Sequence, residues 1–267
     1  MQRPLLMQIA PLGVRIWLFY HLYRHRRERF IELFESAALH HAPRVSMRLM
    51  PTDEGHACIA LTGVYELELT RRLVRAAREC SILVDVGANY GYYSLLWAAQ
   101  RPTNRVVGFE ASPRNHAHLE ANIARNGLGS QIELHRGALG RSTGSLHFDL
   151  GPAEQSGWGG LANTATSRTI EVRVSRLDEL WSSSEDIDVL KIDVEGADTW
   201  VLQGAEQLLK QRRIKAIFFE QNLPRMRELN VPASEAADFL KKMAYSVEPL
   251  TDPSKDLVEY WAYPAKT

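Results

Sequence analysis

Short apolar runs alternate with longer segments of helical periodicity from residue 63 onward. The runs rich in Val, Ile, Leu and Phe predict five buried strands, at residues 81–86, 105–110, 131–135, 187–192 and 214–220. The segments around them predict helices at residues 66–79, 90–100, 112–126, 197–211 and 234–243. Strands separated by helices of this length form βαβ units, so the pattern predicts an α/β fold with a mostly parallel sheet.

Two further pairs of runs have no helix between them. Residues 145–149 and 169–174 predict an added hairpin, and residues 245–249 and 257–263 predict a closing hairpin. A Gly/Ser/Thr-rich segment containing Trp158 joins the first pair. It is either a loop that folds over a ligand or a simple hairpin tip.

The first 62 residues do not follow this alternation. Residues 14–39 contain few helix breakers and predict one helix, whereas residues 43–63 predict an irregular linker or lid that can include short strands. We therefore expect a helical extension with its linker at residues 1–62 and an α/β domain at residues 63–267.

Charge is unevenly placed although the whole chain is neutral. Lys and Arg total 32, as do Asp and Glu, so nucleic-acid binding is not expected, but the first 50 residues hold eight Arg against three Glu. The Arg cluster follows an apolar stretch at residues 5–20, whereas the charges of a secretory signal come first. That stretch is also shorter than the ~20 residues of a spanning helix.

Cys58 and Cys80 fit no disulfide framework, so we expect a soluble, cytoplasmic protein.

The Arg-rich helix has two interpretations. It can lie on an anionic membrane surface, or it can pack against its own domain or against a second copy in a homo-oligomer. Packing is favoured because the apolar residues do not keep to one face.

The glycine loop after the first strand carries the first candidate site. Asp85 precedes Gly87 and Gly91, in a G-x-x-x-G spacing rather than the G-x-G-x-x-G of dinucleotide folds. The glycines allow a sharp turn and close packing. Asp85 would repel a phosphate but suit an ammonium group, which S-adenosylmethionine has.

Glu110 ends the second strand, 19 residues beyond Gly91. A carboxylate there can accept hydrogen bonds from both ribose hydroxyls of a bound nucleoside. NAD and S-adenosylmethionine sites share this feature, so Glu110 does not distinguish them, and an exposed strand-end acid is the alternative.

Five sequence segments together resemble the FkbM family of S-adenosylmethionine-dependent methyltransferases. They read, in chain order, VDVGANYGYYS, VVGFEASPRNHAHLEANIARNGL, RGALG, VSRLDEL and DVLKIDVEGADTWVLQGAEQLL. The resemblance covers roughly residues 63–221, and the order and spacing of the segments make it specific. It implies a Rossmann-like class I methyltransferase whose last strand runs antiparallel to the others.

The resemblance also implies the residues of a cofactor site. The methionine part of the cofactor would be held by Asp85, Gly87, Asn89 and Gly91, and the ribose by Glu110. The adenine would be bordered by Ala111 and Ser112 and by the backbone of Gly137 and Ala138. Two positions depart from the common family pattern, since Ala111 stands where Pro is frequent and Asp198 where Glu is frequent.

The segment after the fourth strand carries the candidate catalytic residues. Lys191, Asp193 and Glu195 alternate, so an extended chain projects them to one side. An oxygen acceptor loses a proton during methyl transfer, and a carboxylate within hydrogen-bond reach can accept it. Asp193 is the first candidate for this base and Glu195 the second, with Lys191 either positioning one of them as an ion pair or lowering the pKa of the acceptor hydroxyl. A structural Lys191–Asp193 pair and a helix-dipole role for Glu195 are the alternatives.

The sequence favours a site without a metal, although Asp193, Glu220 and Asn222 could converge on Mg²⁺. The reading that results is a methyltransferase acting on a hydroxyl of a sugar, a polyketide or another small natural product. The alternatives are an NAD(P)-dependent oxidoreductase and a non-catalytic module that keeps the fold.

Overall fold

Seven strands form the central sheet of the protein, whose residues 3–266 are described by a computed structural model. In chain order they are β1 (Ile82–Val86), β2 (Arg105–Glu110), β3 (Ile132–Arg136), β4 (Ile187–Ile192), β5 (Ile214–Asn222), β6 (Tyr245–Pro249) and β7 (Leu257–Pro264). Their spatial order is β6-β7-β5-β4-β1-β2-β3, with β1 to β5 parallel and β7 antiparallel to both of its neighbours. The predicted α/β fold, with an antiparallel last strand, is confirmed.

The sheet is buried on both faces because successive side chains of its strands enter different cores. Leu83 and Phe218 belong to one apolar cluster, and their neighbours Val84 and Phe219 belong to the other. The first face is covered by helices Glu54–Thr62, Leu67–Glu79, Tyr92–Ala98 and Pro113–Arg125. The second is covered by helices Leu177–Leu180, Asp198–Gly204, Glu206–Lys210 and Glu235–Lys242. The predicted helix at 197–211 is thus two shorter helices.

The added hairpin is confirmed and belongs to a second, four-stranded sheet. Strand Gly144–Asp149 pairs antiparallel with Thr169–Ser175, and the short strands Ala138–Leu139 and Gly160–Ala162 complete the sheet. This sheet extends from the end of β3, so it brings residues 155–159 over the same edge where the parallel strands end.

The single helix predicted at residues 14–39 is wrong. Helices Leu5–Ile9 and Leu12–Leu18 are followed by a wide π-type segment, Phe19–Tyr23, and a tighter 3₁₀ segment, Arg24–Glu35. Phe30 breaks the last segment with a non-helical φ of −125°. Leu18, Phe19, Leu33 and Phe34 stay buried across these changes of pitch, so packing against the core determines the path of the segment more than local helix propensity does.

The irregular linker with short strands predicted at residues 43–63 is wrong only where a helix forms. Strand Ser46–Met47 pairs with Ala37–Ala38, and helix Glu54–Thr62 follows. Asp53 caps this helix by accepting a hydrogen bond from His56 N, and residues 56–62 are all buried. A helix buried on every side has no polar face, so it shows no amphipathic period in the sequence. The division at residue 62 stays a prediction.

Burial of the N-terminal segment generates a stability prediction. Phe34 is 1% exposed in the apolar cluster under the first face, whereas Ile31 is 56% exposed. We expect Phe34→Ala to lower the free energy of unfolding by about 3–5 kcal/mol, because it leaves a cavity. The matched variant Ile31→Ala should change it by less than ~0.5 kcal/mol. Urea unfolding measures both, and equal small effects would show that the segment is not part of the folding core.

Candidate active site

A cavity of about 720 Å³ opens at the carboxyl ends of the parallel strands. It lies where β1 and β4 are neighbours, and the chain leaves this point in opposite directions, to β2 on one side and to β5 on the other. Such a switch point is where open α/β sheets bind ligands. The wall is formed by the carboxyl ends of five strands and by loops that follow them, and residues 155–159 and the N-terminal segment contribute to it as well.

The Lys191 ammonium joins β4 to the loop after β1. Its Nζ lies 3.3 Å from Asp85 Oδ1 and 3.3 Å from Asp193 Oδ2, and it donates to the Gly87 carbonyl oxygen at 3.1 Å. Ser94 donates to the other Asp85 oxygen at 2.6 Å. Both Lys191 and Asp85 are almost fully buried, and Asp85 does not form part of the cavity wall. The Asp85 carboxylate therefore faces Lys191 rather than the cavity.

Gly87 is required by the close approach of two loops. Its φ is +79°, and a Cβ built on it would lie 1.9 Å from the carbonyl oxygen of Asp193. Asp193 N donates in turn to the Val86 carbonyl oxygen at 3.1 Å. Any side chain at residue 87 would separate the loops that carry the candidate site.

Glu110 holds the loop after β1 against the start of the next helix. Its two carboxylate oxygens accept hydrogen bonds from Asn89 N at 2.7 Å and from Ser112 N at 2.8 Å. Burial raises the pKa of Glu110 to about 7, although the two amides oppose this shift. Asn89 adopts a left-handed φ of +51°, and its buried Oδ1 has no hydrogen-bond partner among the described residues.

The remaining predicted cofactor residues divide into two groups. Ala111, Gly137 and Ala138 line the cavity beside Glu110. Gly91 and Ser112 lie behind the wall, where Gly91 packs against Leu119 and Ser112 caps helix Pro113–Arg125. These two positions shape the site without facing it.

The opposite part of the wall is rich in carboxylates. Asp193, Glu195, Glu220 and Glu66 all line it, and Glu195 accepts a hydrogen bond from Asn222 Nδ2 at 2.7 Å. Burial and the neighbouring Asp193 charge raise the pKa of Glu66 and of Glu195 to about 7 and that of Glu220 to about 10. The cavity thus combines one buried ammonium with several acids that resist ionisation.

Glu66, Glu220 and Glu259 form a trio that the sequence did not predict. Their carboxylate oxygens lie within 4.8 Å of one another, since Glu220 and Glu259 are opposite each other in the β5–β7 pair. The structure does not single out Asp193, Glu220 and Asn222 as a set of Mg²⁺ ligands. Both polar atoms of the Asn222 amide already form hydrogen bonds, Nδ2 to Glu195 and Oδ1 with Arg225 N.

Asp53, His56 and Ser156 form a second unpredicted feature, a clamp that fixes residues 155–159 over the cavity. Met50 N donates to His56 Nδ1 at 3.1 Å, so the ring proton is on Nε2, 3.2 Å from Ser156 Oγ. Ser156 donates from Oγ and N to Asp53 Oδ2, at 2.9 and 2.7 Å. Burial lowers the pKa of His56 to about 4, so the ring is neutral. With Nε2 protonated, His56 is not a base toward Ser156, and the three groups are structural.

Comparison with known proteins identifies a family. The sequence model described as "Methyltransferase FkbM domain" matches residues 85–247. Hexuronic acid methyltransferase AglP of Haloferax volcanii is 30% identical over 147 residues, which are 54% of this chain and 58% of that protein. Methyltransferase 1 of Beauveria bassiana is 24% identical over 47% of this chain and 59% of its own length. The chain therefore spans less than two thirds of these relatives.

Solved structures resemble the chain only distantly. A putative O-methyltransferase from Klebsiella pneumoniae is 16% identical, with a TM-score of 0.47, and the match covers 95% of this chain and 97% of that one. A precorrin-6y C5,15-methyltransferase from Geobacter metallireducens is 12% identical, with a TM-score of 0.46, and the match covers 76% and 90% of the two chains.

The raised pKa of Glu66 generates a pH prediction. A carboxyl with a pKa of 4.5 when unfolded and about 7 when folded binds more protons in the folded state between these values. Its contribution to stability is therefore present below pH ~4.5 and is lost as the pH rises towards 7. We expect Glu66→Gln to gain melting temperature relative to the unmodified protein between pH 5 and pH 7.5.

The control for this experiment is Glu68→Gln, a surface carboxylate whose side chain is 60% exposed. Its melting temperature should follow that of the unmodified protein at every pH. A constant difference between Glu66→Gln and the unmodified protein would contradict the raised pKa.

Proposed function

Because the chain belongs to the FkbM methyltransferase family, we propose that its cavity binds S-adenosylmethionine and promotes methylation of a hydroxyl oxygen. The proposed acceptor is a sugar, a polyketide or another small natural product. The observation that carries the proposal is that Glu110 and Asp193 both line one cavity, which lies at the switch point of the sheet. The bound cofactor would supply the methyl group, and the chain would orient the two reactants.

The charge of the wall fits this cofactor better than a nicotinamide dinucleotide. Among the described residues the wall carries two permanent cations, and both are paired: Arg24 with Glu54 at 2.7 Å, and Lys191 with Asp85 and Asp193. A pyrophosphate would meet carboxylates and no free cation. A ligand with a sulfonium and an ammonium group would be stabilised by the same carboxylates.

We assign the cofactor residues by their positions on this wall. Glu110 would accept hydrogen bonds from the ribose hydroxyls, and Ala111, Gly137 and Ala138 would contact the adenine. The loop Gly87–Gly91 would hold the methionine part, for which the unpartnered Oδ1 of Asn89 is a ready acceptor. Asp85 would act through Lys191, and Ser112 through the helix that it caps.

Asp193 is the proposed general base. It follows the end of β4, its side chain is 28% exposed towards the cavity, and the Lys191 ion pair fixes its orientation. Alignment of the acceptor and abstraction of its proton are the contributions that a methyltransferase of this kind requires from its residues. Glu195 is the second candidate, because it lines the same part of the wall and is held by Asn222.

The relative from Haloferax volcanii supports a sugar acceptor, since its name describes a hexuronic acid methyltransferase. The wall of this chain favours an acceptor without a carboxylate, because a further buried carboxylate would lie among acids whose pKa values are already raised, as those of Glu66 and Glu195 are. A neutral or amine-bearing polyol is therefore the preferred class.

Removing the Glu110 carboxylate tests the cofactor assignment. We expect Glu110→Ala to weaken S-adenosylhomocysteine binding by about 1–3 kcal/mol, the usual range for a lost hydrogen bond to a charged group. Isothermal titration calorimetry measures this change. The control Glu133→Ala alters a carboxylate that is 68% exposed on β3 and should leave affinity unchanged. Equal affinities of the unmodified protein and of both variants would show that Glu110 does not contact the cofactor.

Removing the Asp193 charge tests the catalytic assignment. We expect Asp193→Asn to lower turnover ~10²–10⁴-fold, the usual contribution of a general base, while S-adenosylhomocysteine affinity changes little. Glu195→Gln is the matched variant and should retain more activity. Transfer of a labelled methyl group to a panel of polyols measures turnover. Full activity of Asp193→Asn would assign the residue to structure, and a larger loss in Glu195→Gln would transfer the role to Glu195.

A further inference from the structure

The N-terminal segment exposes an unusual share of the chain's apolar surface. Of thirteen strongly exposed large apolar side chains in the described part of the chain, eight lie between residues 5 and 31. We define the N-terminal apolar surface as Leu5, Leu6, Ile9, Val14, Trp17 and Tyr20. Leu5 and Ile9 are each about 70% exposed, and Trp17 is 55% exposed. Clustered exposure of this kind marks a surface that contacts a partner.

This surface is mounted firmly on the protein. Met7, Leu18 and Phe19 come from the same three helical segments and are buried in the core under the first face of the sheet. Arg3 adds hydrogen bonds from its side chain to the carbonyl oxygens of Ala38 and Ala60. The exposed side chains are therefore presented by an anchored scaffold rather than by a loose tail.

Positive charge adjoins the apolar surface. Arg26, Arg27 and Arg29 follow it in the chain and form no ion pair among residues 3–266, and Glu28 is the one acid between them. Apolar residues that include Trp and Tyr, next to unpaired Arg, have the composition of segments that lie in the interface of an anionic bilayer.

We propose that the N-terminal apolar surface docks this protein on an anionic membrane. Its helices would lie in the plane of the lipid headgroups, because their other side is buried in the core through Met7, Leu18 and Phe19. Within residues 3–266, no helix has the length and apolar character of a membrane span. A second copy of the chain is a less suitable partner for this surface. A two-fold dimer contact would bring the Arg clusters of both copies together, and their positive charges would repel each other.

The proposed docking surface borders the cavity. Tyr20 belongs to the surface and also lines the cavity, as does Arg24 in the next segment. Docking would therefore place this part of the cavity wall beside the membrane. The docking inference stands on exposure and charge, and it does not depend on the proposed reaction.

Vesicle co-sedimentation of the full chain tests the proposal. We expect binding to vesicles of phosphatidylcholine with phosphatidylglycerol to be at least about tenfold stronger than to phosphatidylcholine alone, and to weaken in high salt. Ile9→Glu should reduce binding about tenfold, because a carboxylate would enter the interface. The matched control Leu146→Glu changes an exposed leucine of the second sheet and should bind normally.

Three results would overturn the proposal: equal binding to neutral and anionic vesicles, no effect of Ile9→Glu, or a dimer in solution that Ile9→Glu dissociates while vesicles are not bound. If Ile9→Glu lowers the melting temperature, Leu5→Glu at a 70% exposed position replaces it. S-adenosylhomocysteine titration of the same samples reports separately on the cavity.

Discussion

The Lys191 ammonium is the interaction on which the rest of the site depends. It lies in β4 and is buried between two carboxylates and one carbonyl oxygen, which come from β1, from the loop after β1 and from the residue that follows β4. A buried charge is stable only when it is paired, and the carboxylates of Asp193 and Asp85 together keep Lys191 ionised against the effect of burial. Lys191 in turn fixes Asp193 and the turn at Gly87. One ion-pair network thereby sets the spacing between the loop assigned to the cofactor and the carboxylate assigned to the acceptor.

A second constraint closes the cavity from outside the central sheet. Ser156 lies in the second sheet's connecting segment and Asp53 caps the first buried helix, yet the two are joined by a pair of hydrogen bonds. Asn115 donates to the Ser156 carbonyl oxygen at 2.8 Å from a third element. Residues 155–159 are thus fixed by the N-terminal region, which also carries the exposed apolar surface. Residues 155–159 are bonded to the N-cap residue of helix Glu54–Thr62, and two of the helical segments that carry the apolar surface pack against the same helix.

The sequence predicted those elements whose local pattern of apolar and polar residues is distinctive. Strands at 105–110 and 187–192 matched the structure because runs buried on both faces are continuous and end at polar residues. Helix Glu54–Thr62 was missed because it has no polar face, and helix Leu223–Glu228 was missed although Asn222 and Pro224 gave a usual start signal. The trio of Glu66, Glu220 and Glu259 could not be predicted from the sequence, since it depends on the register of β5 against β7. Likewise, the Gly87 and Asp193 loops meet only through tertiary packing.

The central claim is that the cavity at the switch point binds S-adenosylmethionine rather than a dinucleotide. Thermal melting of the purified chain with S-adenosylhomocysteine, and separately with NAD⁺ and NADP⁺, tests it most directly. A ligand at ~100 times its dissociation constant stabilises a protein by about 2.7 kcal/mol, which raises the melting temperature by a few degrees. The account predicts such a rise with S-adenosylhomocysteine alone. A rise with a nicotinamide cofactor and none with S-adenosylhomocysteine would contradict it.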